Sequence, residues 1–305
     1  MTPDELLTII VVTYKSSHIV TSLLDTLYVK FPIKIIDNGS NDDLEEVLRK
    51  KYEKSGIEAT FLENNIGFGR ANNLGLENVN TKYSLILNPD VLIDEESITK
   101  LVECMENNPE AASCGPVEIK TKNPSKNDIE LAVKKHEEAF GDHKDRGDFS
   151  EVPFLCGGFL MLRMGIVKKI GFFDKNIFLY YEDEELSKRI VKSGYKNLLV
   201  KEAICSHFES TSTKTKSRLE SAIINFRRSW HIGWSKSYLK KKRFRSTVFS
   251  ALFKILTSTT SLPKFRFAEF LSKFAKQLGI LSYCIGKDCF NSSNRKAKII
   301  KRISI

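Results

Sequence analysis

Residues 6–12, which read LLTIIVV, decide the fold class of this chain. Their side chains are almost all apolar and most are β-branched, without the polar alternation of a half-exposed strand. This pattern is typical of a strand buried on both faces. Both faces of a strand are buried mainly where helices cover a parallel sheet on its two sides. We therefore expect the N-terminal part of the chain to form a layered α/β domain.

Strand-like and helix-like patterns alternate through the first 210 residues. After the first strand, strands are predicted at residues 33–36, 58–62, 83–87, 112–119, 154–163, 198–200 and 203–206. Helices are predicted at residues 17–28, 41–52, 70–77, 95–107 and 182–193. Such alternation implies right-handed βαβ crossovers and a parallel sheet. Residues 121–151 are polar and weakly periodic, which predicts a long loop with one short helix.

The composition excludes several classes of protein. The chain has 305 residues, of which 41% are hydrophobic and 28% charged, as in an ordinary globular protein. Its six cysteines form no CxxC pattern, which favours reduced thiols over a disulfide scaffold. Residues 6–12 are too short for the apolar core of a signal sequence, so none is expected. No apolar run approaches the roughly 18 residues of a membrane-spanning helix, so no such helix is expected.

The charge is unevenly distributed along the chain. The net charge is +10, yet residues 211–305 hold 22 basic and 3 acidic side chains, so residues 1–210 are acidic overall. We therefore divide the chain into an α/β domain at residues 1–210 and a basic, aromatic-rich helical extension at residues 211–305. Such an extension suits an anionic membrane surface, a nucleic acid, a second subunit or simply solvent.

Unusual polar residues follow three of the predicted strands. They are Thr13-Tyr14-Lys15, Asp37-Asn38-Gly39-Ser40 and Asn88-Pro89-Asp90. Ligands of open parallel sheets bind outside the carboxyl ends of the strands, so one site at one sheet edge is expected. There Asp37 can accept hydrogen bonds from a ribose or a base, although the same residue can also serve only to build a turn.

A glycine-punctuated segment, residues 65–73 (NIGFGRANN), leads into a predicted helix. Its backbone N–H groups can receive phosphate or sugar oxygens, while a tight helix entry explains the glycines equally well. No GxGxxG follows the first strand and no GxxxxGK[ST] occurs in the chain. The dinucleotide-binding fingerprint and P-loop chemistry are therefore unlikely explanations of this segment.

These motifs, in this order, resemble those of family 2 glycosyltransferases. VVTYK (11–15), DNGS (37–40), NIGFGRANNLG (65–75) and LNPDV (87–91) are most similar to the rhamnosyltransferase-like branch. The resemblance continues through CGGF (156–159), YEDEEL (181–186) and His207, and covers roughly residues 6–235. It implies a GT-A fold with a Rossmann-like sheet, and an inverting enzyme that uses a nucleotide sugar.

The resemblance also implies roles for individual residues. The nucleotide-sugar-binding residues would be Thr13, Tyr14, Asp37, Asn38, Gly67, Gly69, Arg70, Asn73, Asn88, Asp90, Gly157 and Gly158. Asp90 stands where the family carries its metal-binding acid, and His207 matches a histidine that supplies a second ligand. Mg²⁺ or Mn²⁺ would suit these residues, because such ions also take diphosphate oxygens. Without the resemblance, Asn88-Pro89-Asp90 is equally a turn and His207 a structural histidine.

Four consecutive acids, Glu182 to Glu185, begin a predicted helix. They complement the helix dipole, but adjacent carboxylates also repel one another and so raise the pKa of one of them. In the family this segment holds the catalytic base that deprotonates the acceptor hydroxyl. The resemblance assigns that role to Asp183, with Glu182 orienting the acceptor or the base. Glu185 departs from the branch, which often has Asp at this position.

The resemblance to the rhamnosyltransferase-like branch implies transfer of L-rhamnose from dTDP-rhamnose to a lipid-linked or surface polysaccharide. The alternatives are another UDP- or dTDP-hexose donor, or a catalytically silent glycan-binding or membrane-scaffold module. Basic and aromatic residues interleave at residues 227–234 and 240–245, which favours an anionic membrane surface. We therefore expect a cytoplasmic enzyme at the inner face of the membrane, with homo-oligomerisation as a second use of the extension. No nucleic-acid-binding signature supports a nucleic-acid partner.

Overall fold

The structure is a computed structural model that describes residues 3–120, 124–207, 218–240, 267–284 and 297–305. The chain divides into two compact units. The first comprises Met1–Asp174, Asp183–Thr213 and Ala297–Ile305. The second comprises Lys175–Glu182 and Lys214–Lys296. The division at residue 210 expected from the charge pattern therefore differs from the structure at the end of the chain, where residues 297–305 belong to the first unit.

The elements are numbered in chain order. The strands are β1 (Leu7–Thr13), β2 (Ile33–Asp37), β3 (Glu58–Leu62), β4 (Tyr83–Leu87), β5 (Val91–Ile93), β6 (Ala111–Glu118), β7 (Lys144–Asp145), β8 (Phe149–Val152), β9 (Phe159–Arg163), β10 (Lys196–His207) and β11 (Ile299–Ser304). The helices are α1 (Pro3–Leu6), α2 (Ser17–Leu27), α3 (Leu44–Lys51), α4 (Phe68–Glu77), α5 (Glu95–Asn107), α6 (Lys126–Phe140), α7 (Met164–Ile170), α8 (Glu182–Lys192), α9 (Arg218–Leu239) and α10 (Phe267–Cys284).

The described strands form one mixed sheet. Its order is β11-β3-β2-β1-β4-β9-β6-β10-β8-β7, with β5 paired to the end of β10. The neighbours β3, β2, β1 and β4 are parallel, as are β6 and β10. Strand β9 runs antiparallel between β4 and β6. The prediction of a parallel sheet is thus right for the first four strands and wrong for the sheet as a whole.

Strand β1 is buried along its whole length, as its apolar run predicts. Leu7, Ile9 and Val11 face the larger core cluster with α2, while Ile10 packs with Leu76 of α4 on the opposite face. Helix α4 lies very close to β1, because a Cβ added to Gly75 would be 2.7 Å from the Cγ2 of Ile10. The helix whose N-terminus follows the glycine-rich segment is therefore fixed directly on the central strand.

Two elements differ from the expected pattern for a physical reason. Residues 126–140 form a 15-residue helix, α6, where a long loop with one short helix is predicted, and Ser125 and Asp128 make a capping box at its start. None of the side chains of α6 is buried, so the helix leaves only a weak apolar period in the sequence. Strand β10 is continuous over residues predicted as two separate strands.

The described part of the second unit includes two helices, α9 and α10, that pack at very short range. A Cβ on Gly233 would lie 2.0 Å from the carbonyl oxygen of Lys276, and one on Gly279 would lie 2.0 Å from that of Trp230. Glycine is thus required on both helices at this crossing. Among the described helices, none combines the length and apolar character needed to cross a membrane. Residues 241–245 of the basic and aromatic pattern lie outside the described residues.

Candidate active site

The carboxyl ends of β1 and β2 lie side by side. Thr13 and Asp37 are partners in the parallel register, and the backbone N–H of Asn38 donates to the carbonyl of Thr13 at 2.9 Å. Thr13 is fully buried, and its hydroxyl has no hydrogen-bond partner among the described residues. Few buried hydroxyls in a folded protein lack a hydrogen-bond partner, and a bound water or ion is one explanation of such a group. These ends of the strands therefore have the character of a binding site.

Asp37 is buried beside this edge of the sheet. Its Oδ1 accepts a hydrogen bond from the backbone N–H of Ser40 at 2.8 Å. The turn that the sequence offered as an alternative is therefore present. Burial raises the pKa of Asp37, and the nearby carboxylate of Asp42 raises it further, against the opposing effect of the hydrogen bonds from Ser40.

Asn38 connects the turn after β2 to the glycine-rich segment. Its Nδ2 donates to the Oδ1 of Asn65 at 3.2 Å, and its Oδ1 accepts from the N–H of Ile66 at 2.9 Å. Gly39 has a φ of 78°, and a Cβ there would lie 2.6 Å from the carbonyl carbon of Asn64. The structure thus uses Asn38 to hold the two predicted binding segments together.

Tyr14 and Lys15 follow β1 at the same edge. The Tyr14 side chain is 44% exposed, and the Lys15 ammonium lies 5.6 Å from the centre of its ring. Lys15 has a φ of 55°, and its N–H donates to the hydroxyl of Ser40 at 2.9 Å. A left-handed residue that is not glycine costs energy, and such residues cluster at functional sites. A half-exposed tyrosine ring at this edge is suited to stack on a planar ligand.

The glycine-rich segment enters α4 as predicted. Gly67 has a φ of 95° and precedes the first residue of the helix, Gly69 is buried and Arg70 is half-buried. Asn73 contacts the backbone of Phe173. Its Nδ2 donates to the carbonyl of Phe173 at 2.9 Å, and its Oδ1 accepts from the N–H of Phe173 at 3.0 Å. The Asn73 amide thus joins α4 to residue 173.

Asp90 and His207 are brought together by an antiparallel pairing that the sequence did not predict. Strand β5 pairs with the end of β10, with Val91 opposite His207. The Oδ1 of Asp90 then lies 3.2 Å from the Nε2 of His207, although the two residues are 117 positions apart. The Oε1 of Glu118 lies 3.8 Å from the Nδ1 of the same imidazole.

The Asp90 and His207 pair fits a divalent cation. An octahedral Mg²⁺ or Mn²⁺ ion has ligands at about 2.1 Å, so neighbouring ligand atoms lie about 3 Å apart. The observed separation of 3.2 Å between a carboxylate oxygen and an imidazole nitrogen matches that spacing. The described residues contain no group of three or more side chains able to hold a metal. Phosphate oxygens of a substrate and water are common further ligands of such an ion.

Gly157 and Gly158 allow two other segments to approach closely. A Cβ on Gly158 would lie 2.8 Å from the Nδ2 of Asn88, whose backbone N–H donates to the Gly158 carbonyl at 2.7 Å. A Cβ on Gly157 would lie 3.1 Å from the Cβ of Asp183. The two glycines thus place the segment that ends in Asp90 and the start of α8 against the same short turn.

Asp183 is the second residue of α8. Its Oδ2 accepts from the N–H of Gly157 at 3.1 Å, and its Oδ1 accepts from the N–H of Glu184 at 2.9 Å. Burial raises the pKa of Asp183, even though these hydrogen bonds oppose the shift. The preceding residues Tyr180 and Tyr181 both have a left-handed backbone, with φ values of 66° and 70°. Glu182 is buried.

Sequence reasoning missed one residue of this region, Arg189. It forms a bidentate ion pair with Glu185 and donates to the backbone carbonyls of Ile170, Gly171 and Phe172. The i,i+4 spacing of a glutamate and an arginine was the available signal. Glu185, the departure from the branch pattern, thus has a defined partner.

Comparisons with known proteins agree with this architecture. The family model described as Glycosyl transferase family 2 matches residues 8–171. An N-acetylglucosaminyl-diphospho-decaprenol L-rhamnosyltransferase of Mycobacterium tuberculosis is 24% identical over 242 residues, which cover 68% of this chain and 78% of the relative. A poly-beta-1,6-N-acetyl-D-glucosamine synthase of Staphylococcus aureus is 24% identical over 201 residues, and the match covers 63% of this chain and 48% of the synthase.

Solved structures of similar fold include nucleotide-sugar enzymes. The mannosyltransferase PcManGT from Pyrobaculum calidifontis, in complex with GDP-Man and Mn²⁺, gives a TM-score of 0.58 at 13% identity and covers 93% of this chain and 88% of its own. S. aureus TarS in complex with UDP gives a TM-score of 0.52 at 14% identity and covers 92% of both chains. At these identities the likeness shows the fold, which is the GT-A fold.

Proposed function

We propose a specific reaction for this chain, which belongs to glycosyl transferase family 2 and is a glycosyltransferase. The chain transfers L-rhamnose from dTDP-rhamnose, with inversion, to a hydroxyl group of a lipid-linked or surface polysaccharide. The observation that carries this proposal is the Asp90 and His207 pair, 3.2 Å apart at one edge of the sheet. A carboxylate and an imidazole in that arrangement suit the diphosphate end of a nucleotide sugar, through a divalent cation.

The donor is held by the ends of β1 and β2 and by the start of α4. The exposed ring of Tyr14 stacks on the base, and Asp37 accepts the imide N–H of a thymine or uracil ring. The backbone N–H of Gly69 lies in the first turn of α4, where the helix dipole favours phosphate oxygens, while that of Gly67 donates to the Oδ1 of Asn65 at 2.9 Å. Arg70 adds a positive charge in the first turn of the same helix.

Asp90 and His207 would hold Mg²⁺ or Mn²⁺. The bound ion would neutralise the negative charge that develops on the departing nucleoside diphosphate. The Oε1 of Glu118 lies 3.8 Å from the other ring nitrogen of His207, beyond hydrogen-bond distance.

Asp183 removes the proton from the acceptor hydroxyl. Its raised pKa makes it a stronger base than an exposed aspartate, and the N–H groups of Gly157 and Glu184 fix the orientation of its carboxylate. As the acceptor oxygen attacks the anomeric carbon from the face opposite the nucleotide, the C–O bond to the diphosphate breaks and the proton moves to Asp183. Glu182, next along the chain, orients the acceptor.

The donor sugar and the acceptor class rest on the mycobacterial relative, whose name states an L-rhamnosyltransferase acting on a decaprenol-linked sugar. Another UDP- or dTDP-hexose is the second candidate, favoured by the S. aureus structure with UDP. A lipid-linked acceptor agrees with the basic extension, which we propose attaches the enzyme to the anionic cytoplasmic face of the membrane.

The test is nucleotide release from a panel of nucleotide sugars with Mg²⁺ or Mn²⁺. Wild type should release dTDP from dTDP-rhamnose, and Asp90→Ala should not. Asp94→Ala is the matched control, because Asp94 only caps α5 through the N–H of Ser97. Turnover of a UDP-sugar instead would refute the rhamnose donor and keep the enzyme class. Hydrolysis can be slow without an acceptor, so donor binding is measured by thermal shift in the same plates. The proposal is refuted if no donor is bound and none is turned over.

A further inference from the structure

We propose that Arg189 is a positioning residue that holds Asp183 in place through the loop of residues 170–173. That Asp183 needs to be held rests on its proposed role as the base. The loop connects α7 to the segment before α8, and it is bound by side chains from two helices. Arg189 of α8 binds it from one side, and Asn73 of α4 binds it from the other.

The contacts of Arg189 use every side of its guanidinium. The Nη1 donates to the carbonyl of Ile170 at 2.9 Å, and the Nη2 donates to that of Phe172 at 2.6 Å. The Nε and Nη2 also bind the two carboxylate oxygens of Glu185 at 2.9 and 2.6 Å. Side-chain exposures of 24% for Arg189 and 18% for Glu185 place this ion pair largely away from water. Bidentate, partly buried pairs of this kind have a fixed geometry.

The opposite side of the loop is attached to α4. Asn73 makes two hydrogen bonds to the backbone of Phe173, and the ring of Phe68 contacts the ring of Phe173 edge to face, with centroids 6.3 Å apart. Phe68 also borders the turn at Gly157, where a Cβ would lie 3.5 Å from its ring. One short loop therefore connects the helix that starts at the glycine-rich segment with the helix that starts at Glu182.

This connection determines where Asp183 lies. The base and Arg189 are on the same helix, so the contacts of Arg189 with the loop carbonyls add to the core packing of Leu186 and Ile190 in fixing the position of α8. With α8 in place, the Oδ2 of Asp183 accepts the hydrogen bond from the N–H of Gly157 at 3.1 Å. Loss of Arg189 should release α8 and lengthen that bond, whereas the donor segment on α4 keeps its own contacts.

The experiment is amide hydrogen exchange at Gly157, measured in folded Arg189→Ala and wild-type protein. Arg189→Ala should raise the Gly157 exchange rate at least tenfold. Asp183→Ala removes the carboxylate that accepts the Gly157 hydrogen bond, so its Gly157 exchange rate is the upper reference. Lys188→Ala is the matched control, because Lys188 pairs with Glu184 at the same i,i+4 spacing but is 57% exposed, and it should change the rate less than twofold.

A second control separates positioning from general stability. Arg163 also donates to three backbone carbonyls, those of Ala111, Met105 and Asn108, but at the end of β9 opposite the start of β4. That is the amino end of β4, so Arg163→Lys should lower the melting temperature without exposing the Gly157 amide. If Arg189→Ala does not fold, Arg189→Lys and Asn73→Ala replace it, with an intermediate rise expected for each.

Unchanged Gly157 exchange in the folded Arg189 variants would overturn the proposal, as would an equal rise in Lys188→Ala. The kinetic readout is nucleotide release with dTDP binding measured in parallel. We expect kcat to fall at least tenfold in Arg189→Ala while the Kd of dTDP stays within twofold. Hydrogen exchange does not depend on turnover, so the two proposals can fail separately. If the exchange rates change as expected but the wild type turns over no donor, the proposed function is refuted and the positioning role stands.

Discussion

Asp183 combines two properties that the proposed chemistry needs in one carboxylate. Burial raises its pKa, which makes it a better proton acceptor once it is ionised. Two backbone N–H groups hold its oxygens, so that it is oriented before the acceptor arrives. The neighbouring Glu184 instead forms an ion pair with the exposed Lys188 at the helix surface.

Replacing Asp183 with asparagine should remove the base and leave donor binding intact. General-base catalysis contributes about 10²- to 10⁴-fold, so we expect kcat for sugar transfer to fall by roughly that factor. The Kd of dTDP, measured by calorimetry, should stay within twofold. Glu184→Gln serves as the control and should keep wild-type kcat. If kcat fell equally in the two variants, the effect would belong to the acidic segment as a whole rather than to Asp183.

The same carboxylate should leave a signature in the pH dependence of stability. A carboxyl whose folded pKa is raised contributes stability that is complete below its unfolded pKa, about 3.9, and is lost as the pH rises through the folded value. Asp183→Asn cannot ionise, so its melting temperature relative to wild type should increase as the pH is raised from about 4 to about 7.5. A difference that does not change with pH would show that the pKa of Asp183 is not raised.

Among the elements, the turn after β2 is the one that determines whether the two binding segments meet. Gly39 and Gly56 have nearly equal φ values, 78° and 77°, but a Cβ on Gly39 would lie 2.6 Å from the Asn64 backbone, while nothing lies within 4 Å of one on Gly56. The backbone cost of a left-handed alanine, about 1–2 kcal/mol, is therefore common to both positions. Only Gly39 carries the additional steric clash.

Gly39→Ala should thus be destabilised more than Gly56→Ala, and it should also bind dTDP at least tenfold more weakly, because the glycine-rich segment is displaced. Gly56→Ala should keep the wild-type Kd. Denaturant unfolding and calorimetry measure the two effects. Equal free energies of unfolding for the two variants, with equal Kd values, would contradict this account of the turn.

The sequence predicts those elements whose apolar pattern is long or fully buried. Helix α5 was predicted with its observed bounds, Glu95–Asn107, and β4 with its observed bounds, Tyr83–Leu87. Strand β5 has only three residues, and α6 has no fully buried side chain, so β5 left no detectable period and α6 only a weak one. Strand β11 pairs antiparallel with β3, a contact across more than 230 residues that no local pattern reveals.

The candidate site, too, could be predicted from the sequence only in part. The segments after β1, β2 and β4 could be predicted, because the carboxyl ends of neighbouring parallel strands meet at one edge. The contact between Asp90 and His207 was expected only from the family resemblance, since the β5 to β10 pairing that produces it leaves no local sequence pattern. Arg189 was missed because three of its partners are backbone carbonyls, which carry no sequence signal, although its i,i+4 spacing from Glu185 did.

Across the whole molecule, the basic residues are concentrated in one part of the chain and the acidic residues in another. Residues 211–305 carry 22 of the 48 basic residues and 3 of the 38 acidic ones. Within the second unit, α9 and α10 are joined at two glycines, which makes them a closely packed pair. A basic segment of this kind is attracted to anionic lipid by about 1 kcal/mol for each lysine or arginine near the surface.

The full chain should therefore sediment with vesicles that contain phosphatidylglycerol, and not with vesicles of phosphatidylcholine alone. Because the attraction is electrostatic, binding should be lost at about 0.5 M salt. A truncated chain is not needed, since the lipid composition is the control. Equal binding to both kinds of vesicle, or binding that salt does not weaken, would contradict an electrostatic attachment of the extension.

The measurement that tests the central claim most directly is the Kd of dTDP with and without Mn²⁺, for wild type and for Asp90→Asn. The account predicts that Mn²⁺ tightens dTDP binding at least tenfold in wild type, and that this gain is absent in Asp90→Asn but retained in Asp94→Asn. Wild-type protein whose dTDP affinity does not respond to Mn²⁺, or an Asp90→Asn variant that keeps the full gain, would contradict it.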